Sequence, residues 1–308
     1  MANKSFSISE VERQTGIAKE TLRVWERRYE FPRPGRDAHG ERIYPEPQLQ
    51  KLHQLKRLLD LGYRPGKIIH LAPDQLAELA AQSAPSHSGS TGDPEELAAC
   101  IALVKQHDIG ALRQRLSQQA AKLGMRNFVT ELAAPLTRRV GIEWAGGTLA
   151  VFEEHLYAEA LHGMLRSFIH ALAQQKDSAE GAPRVLLTTL PLERHGLGLL
   201  MAEALLVLEG AHCISLGLQT PLNEIIDAAA RQDVDVVALS FASSASQRST
   251  VDNLNELSAR LPDGLALWAG GDGAAAARRH IDKATVMTLE NIGDAVAAWR
   301  AVREEAEA

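Results

Sequence analysis

The chain has 308 residues, 45% of them hydrophobic and 23% charged, and a formal charge of -6 at neutral pH. That is enough apolar material for two or three ordinary globular cores, and no apolar run is long enough to cross a bilayer. The opening MANKSFSISE lacks the apolar core of a signal peptide, so a cytoplasmic address is expected; Cys100 and Cys213 show no metal-ligand spacing, which argues against a disulfide framework and a Cys-based zinc site.

The charge is unevenly placed. Residues 1–73 carry 14 Lys+Arg against 9 Asp+Glu, while the remainder carries 19 against 30. A basic head on an acidic body suggests that only the head meets a polyanion.

Ser7-Ile8-Ser9-Glu10 opens a helix with a capping serine, and Thr15-Gly16-Ile17 turns the chain into a second helix from Lys19 to about Tyr29. Leu22, Trp25 and Tyr29 form its apolar face; Arg23 and Arg27 share another face with Arg28 beside it. Two short helices around a glycine turn make a helix-turn-helix, the second suited to the major groove. Residues 31–44, rich in Pro, Gly and Arg, read as a β-hairpin wing. Lys19, Arg23, Arg27 and Arg28 on the helix, with Arg33, Arg36, Arg42 and Tyr44 on the wing, are the expected contacts to double-stranded operator DNA. A leucine-rich helix from about Pro47 to Leu61 follows, with Gly62 as its cap and a short helix begun at Pro65. Ser-Ile-x-Glu-Val, then Glu20-Thr21-Leu22-Arg23-x-Trp-Glu26-Arg27-Arg28-Tyr29, the Arg-Pro wing and Arg42-x-Tyr44 resemble the MerR-type winged helix-turn-helix. The Trp-Glu-Arg-Arg-Tyr form resembles the branch with sensory C-terminal domains, which usually has a small or basic residue where this chain has Glu41. The head is assigned residues 1–80. No long coiled-coil helix follows it, so assembly is expected to be arranged by the C-terminal body.

Residues 81–94 are a Ser/Gly/Pro linker, and Asp93-Pro94-Glu95-Glu96 is a strong helix start. Helical patterns over 95–107, 109–123, 126–140 and 148–175 predict an antiparallel four-helix bundle occupying 95–180. Near its end stand Trp144, Glu154 and His155. On the residues alone these read either as a core tryptophan beside a solvated Glu-His pair, the simpler reading, or as a lid and ligand for a flat molecule. His162, a further two turns along, is a second imidazole on the same face.

From 181 to 308 five apolar strands alternate with helices: Arg184–Leu190, His212–Leu218, Val234–Phe241, Leu265–Ala269 and Ala284–Leu289. This predicts a flavodoxin-like doubly wound parallel sheet with ligands at the carboxyl ends of its strands. There lie Glu193, His195 and Gly198 after the first strand, Ser240, Ser243 and Ser244 after the third, and Gly270 and Gly271 after the fourth. No Gly-x-Gly-x-x-Gly or Walker lysine is present, and the third strand lacks a phosphoacceptor Asp.

Glu193-x-His195-x-x-Gly198 after the first strand, with the downstream serines and Gly-Gly, resembles the cobalamin-binding domain, in which the motif histidine ligates cobalt from below and the serines and glycines accommodate the nucleotide tail. That family more often has Asp where Glu193 stands. Head, bundle and α/β domain together resemble the CarH/LitR family of cobalamin-dependent photoreceptor repressors, whose Trp-x9-Glu-His signature is matched by Trp144, Glu154 and His155. The resemblance implies adenosylcobalamin as cofactor, with His195 as lower cobalt ligand, Trp144 and Glu154 covering the adenosyl group, and His155 entering as upper ligand after photolysis. It implies a dark homo-oligomer, a tetramer, that represses its operator and disassembles in light, located in the cytoplasm and on the nucleoid when DNA-bound. A light-independent cobalamin sensor, a regulator that lost its cofactor, and a corrinoid methyl carrier are the alternatives; the winged head argues against the last, and no enzyme activity is expected.

Overall fold

The computed structural model describes residues 5–60, 63–82, 92–175, 181–191, 193–242 and 246–307. Contacts divide the chain into two units, Met1–Ala84 with Ile142–Thr148, and Pro85–Gly141 with Leu149–Ala308. The expected cap at Gly62, most of the 81–94 linker, and Ser243 and Ser244 lie outside the described residues.

The first unit begins with a strand that the sequence pattern did not reveal, β1 (Ser5–Ser7), followed by α1 (Ile8–Thr15) and α2 (Lys19–Tyr29). A capping box starts α1: Glu10 N–H donates to Ser7 Oγ at 3.3 Å and Ser7 N–H to the Glu10 carboxylate at 2.7 Å. Gly16 ends it at φ 68°, where a glycine pays no Cβ penalty. The wing is β2 (Gly35–Arg36) and β3 (Arg42–Pro45), and β1 completes an antiparallel sheet in the order β1-β3-β2. Next come α3 (Glu46–Asp60), α4 (Pro65–Ile68) and α5 (Pro73–Gln82), the last also not anticipated. Leu22 and Trp25 of α2 bury with Tyr44 of β3, Leu49, Leu52, Leu55 and Leu58 of α3, Ile68 and Leu76. Ala145 belongs to this core and Trp144 packs against it.

The second unit holds α6 (Pro94–Lys105), α7 (Ile109–Asn127), α8 (Ala134–Ala145) and α9 (Val151–Gln175). Asp93 and Asp108 cap α6 and α7 by accepting from Glu95 N–H at 3.0 Å and Ala111 N–H at 2.9 Å. The expected break between the second and third helices is a kink at Gly124, φ 74° and ψ 155°, followed by a π-helical turn over Phe128–Ala133. The third helix ends at Ala145, and Ile142–Thr148 are grouped with the first unit instead of the bundle.

The remainder is the expected α/β alternation: β4 (Arg184–Thr188), α10 (Leu197–Leu208), β5 (His212–Gly217), α11 (Leu222–Arg231), β6 (Val236–Ser240), α12 (Gln247–Arg260), β7 (Ala266–Gly270), α13 (Asp272–Ala277) with a 3₁₀ turn after it, β8 (Thr285–Met287) and α14 (Ile292–Glu307). All strands are parallel in the order β5-β4-β6-β7-β8, the flavodoxin-like arrangement. Val185, Leu186 and Leu187 of β4 are fully buried, as a strand covered on both faces must be. Helix α10, apolar almost all round, packs against both the sheet and α9. The turns after β4, β6 and β7 thus share one rim, at the carboxyl ends of the strands.

Candidate functional site

In the first unit, burial of Leu22 and Trp25 turns Arg23, Arg27 and Arg28 outward on α2. Lys19 is half-buried beside Glu12 at 3.5 Å, and Arg23 stands 3.7 Å from Glu20. On the wing, Arg33 pairs with Glu30 at 2.7 Å and Arg36 donates to the Gly40 carbonyl at 2.6 Å. Arg42 Nε donates to Glu26 Oε2 at 2.9 Å, which ties β3 to α2, and this bond and the Glu26 charge push the guanidinium pKa up. Arg42 therefore orients the wing. Tyr44 corrects an expectation: it is fully buried in the head core, with no hydrogen-bond partner for its hydroxyl among the described residues. Alternation along β3 points its ring inward, so it offers no donor to a phosphate.

On the rim of the second unit, Glu193 and His195 form one construction. His195 is 52% exposed at its side chain, while Glu193 is only 10% exposed. Glu193 Oε1 lies 2.7 Å from His195 Nδ1 and accepts the His195 backbone N–H at 2.9 Å; Oε2 accepts the Ala242 N–H at 2.8 Å. Burial alone would raise the Glu193 pKa, but the bonds from the His195 ring, the His195 N–H and the Ala242 N–H hold it below its ordinary value. A carboxylate facing Nδ1 orients the ring, so that Nε2 is the nitrogen turned away from Glu193.

Gly198 and Ser240 are neighbours: a Cβ added at Gly198 would stand 3.7 Å from Ser240 Oγ. Gly271, at φ 86°, could not carry a Cβ at all, because it would collide with the Phe241 carbonyl. The fold itself thus requires glycine there, independently of any ligand; Gly270 precedes it at the end of β7.

Glu154 and His155 lie in the first turns of α9, with Glu154 Oε2 2.7 Å from His155 Nδ1 and the His155 side chain 70% exposed. Trp144 belongs to the first unit, where its indole N–H is buried without an acceptor among the described residues. The sequence reading missed the buried threonines that tie the rim together. Thr189 Oγ1 donates to the Glu193 carbonyl at 3.0 Å and accepts the Gln219 N–H at 2.9 Å. Two threonines ending an otherwise apolar strand were the available signal. It also missed Glu203 of α10, nearly fully buried and held by Arg166 of α9 at 2.8 Å.

Among the described residues, no helix is long and apolar enough to cross a membrane. The model of the MerR HTH family regulatory protein matches residues 6–75, and that of the B12 binding domain matches residues 183–298. The chain is 31% identical over 285 residues to the HTH-type transcriptional repressor CarH of Myxococcus xanthus, covering 91% of this chain and 92% of that protein. It is 26% identical over 301 residues to the HTH-type transcriptional repressor CarA of the same organism, covering 97% and 98%. The structure of the Methanosarcina barkeri monomethylamine corrinoid protein shares the fold at a TM-score of 0.51 and 15% identity, over 65% of this chain and 96% of that one. With both family models matched and the CarH likeness running along nearly its whole length, the chain belongs to the CarH family of HTH-type transcriptional repressors, as a DNA-binding, cobalamin-binding regulator and not an enzyme.

Proposed function

We propose that this chain is a light-responsive repressor with adenosylcobalamin as its chromophore. The observation that carries the reading is the Glu193–His195 pair on the rim of a matched B12-binding domain. The residues fit the group. His195 is exposed, and Glu193 orients its ring. The absence of a side chain at Gly198 leaves open the space beside Ser240 that a Cβ would enter.

On this reading His195 would hold the cobalt, while Ser240, Gly198, Gly270 and Gly271 would accommodate the nucleotide tail. Glu154 would serve the adenosyl side. When bound, the corrinoid would supply a light-sensitive metal–carbon bond, and His155, at the solvent-facing start of α9, would be the second imidazole available to the metal once that bond is broken. Such a ligation change biases a two-state element, the form that signal transmission requires. In the dark the protein assembles into a tetramer, so that several heads engage one operator. Loss of assembly weakens repression through avidity, with no DNA contact altered. The protein acts in the cytoplasm, at its operator.

The test is to mix the protein with adenosylcobalamin in darkness and record absorption and size by gel filtration before and after green light. An alkyl-cobalt spectrum that bleaches together with a change in size supports the reading. A bound spectrum and size that light leaves unchanged would make the protein a light-independent cobalamin sensor, and no bound colour would remove the cofactor.

A further inference from the structure

We propose that Thr189 is a positioning residue for His195, fixing the imidazole through the main chain of Glu193; the proposal rests on the reading of the rim as the cobalamin site. Thr189 is fully buried just past the end of β4. Its one hydroxyl proton goes to the Glu193 carbonyl at 3.0 Å, and its oxygen accepts the Gln219 N–H at 2.9 Å. Its own carbonyl accepts the Thr220 N–H at 2.9 Å. One side chain therefore joins the loop that carries His195 to the turn between β5 and α11.

That turn is conformationally expensive. Gly217 and Gln219 sit at φ 79° and φ 61°, and the second is not a glycine. The Thr189 hydroxyl holds the Gln219 N–H in that conformation. The turn also reaches the histidine loop directly: Leu218 leaves so little room at Gly196 that an added Cβ would stand 3.1 Å from it. On the other side, the Glu193 carboxylate is spent on His195 and Ala242, so the carboxylate fixes the ring only if its own main chain is fixed. Thr189 does that. Thr188 makes a natural control, since its hydroxyl lies 3.0 Å from the Gly217 carbonyl and 2.7 Å from Thr220 Oγ1, on the turn and not on Glu193.

The experiment loads full-length protein, labelled with ¹⁵N in its histidines, with cob(II)alamin, and reads affinity by absorption titration and the axial nitrogen by electron paramagnetic resonance. Wild type should give the doublet splitting of a ¹⁵N ligand. Thr189→Val should bind about tenfold more weakly, in the range for lost supports of a metal ligand, with the doublet diminished. Thr189→Ser, which keeps the hydroxyl, should return to within about twofold of wild type, and Thr188→Val should keep the doublet. Wild-type affinity and doublet in Thr189→Val overturn the proposal and leave the cobalamin reading standing. A wild type with no ¹⁵N doublet overturns both. If Thr189→Val does not fold, amide exchange in the unliganded wild type decides: the Gln219 N–H must already be protected, and rapid exchange there overturns the clamp.

Discussion

Glu193 grips His195 twice, with one oxygen accepting both the backbone N–H at 2.9 Å and facing the ring Nδ1 at 2.7 Å. The same carboxylate-to-Nδ1 distance recurs between Glu154 and His155, but in a different setting. Glu193 is buried and anchored to Ala242 by its second oxygen, whereas Glu154 is 30% exposed on a helix surface and its histidine is 70% exposed. Both carboxylates orient an imidazole, but only the first is built into the packing of a sheet, while the second stands on a helix surface.

Glu193→Gln should weaken cobalamin binding by about 10- to 100-fold, because an amide cannot hold the imidazole proton as a carboxylate does. The unliganded protein offers a pH test. The folded Glu193 pKa lies below its ordinary 4.5, so its stabilising contribution is complete above that value and is lost as pH falls through the folded pKa. Urea unfolding should show wild type more stable than Glu193→Gln at pH 6, with the gap closing below about pH 4. A gap independent of pH would mean that charge is not what Glu193 contributes.

His155→Ala should bind adenosylcobalamin in the dark with wild-type affinity and still bleach, since His195 and its supports are untouched. Its illuminated spectrum should differ from that of wild type for want of the second imidazole. Identical illuminated spectra would take His155 out of this role.

Arg166→Met should destabilise the protein by about 2 kcal/mol near neutral pH, below the usual 3–5 for breaking a buried pair because Arg166 is partly solvated. The Glu203 carboxylate it leaves behind is nearly fully buried. Burial raises the folded Glu203 pKa above 4.5, opposed by the charge and hydrogen bond of Arg166 and by His170 and His162. A raised carboxylate pKa stabilises the fold below the unfolded value and loses that contribution as pH rises through the folded one. The deficit of Arg166→Met should therefore be largest at pH 7 and shrink toward pH 4.5 in denaturant titrations; a constant deficit would assign it to lost packing.

The α/β domain was legible because buried parallel strands leave strong apolar runs, and five strands were placed in order. The short β1 was invisible because a strand of Ser5–Ser7 has no period to read. The start of the third bundle helix was obscured by a π-helical turn over Phe128–Ala133, whose wider pitch breaks the 3.6-residue pattern before α8 begins at Ala134. At the site, His195 and Glu193 were legible from their spacing after a strand. Thr189 was not, because its partners lie 4 and 30 residues away and only the crossover brings them together. Tyr44 was misread because Arg-x-Tyr on a wing suggests two outward side chains, while the strand faces the tyrosine into the core.

Tyr44→Phe tests that correction. The hydroxyl is buried with no partner among the described residues, so removing it should leave stability unchanged or raise it by about 1 kcal/mol. Operator affinity in a gel-shift titration should stay within about twofold of wild type. A tenfold loss of affinity would show that the hydroxyl reaches the DNA after all.

Arg27→Ala should weaken DNA binding alike for operator and unrelated duplex, because an exposed arginine on α2 that neutralises a phosphate carries no sequence information. The slope of log affinity against log salt should become shallower by about 1, the signature of one released counterion. Arg42→Ala should act differently. Its guanidinium is committed to Glu26, so removing it frees a carboxylate on the recognition face and loosens the wing, lowering the melting temperature as well as the affinity. Parallel titrations across a range of salt, with thermal melts of both variants, separate the two. Should Arg27→Ala lose affinity for operator alone, that side chain reads a base, and α2 lies deeper in the groove than a phosphate contact requires.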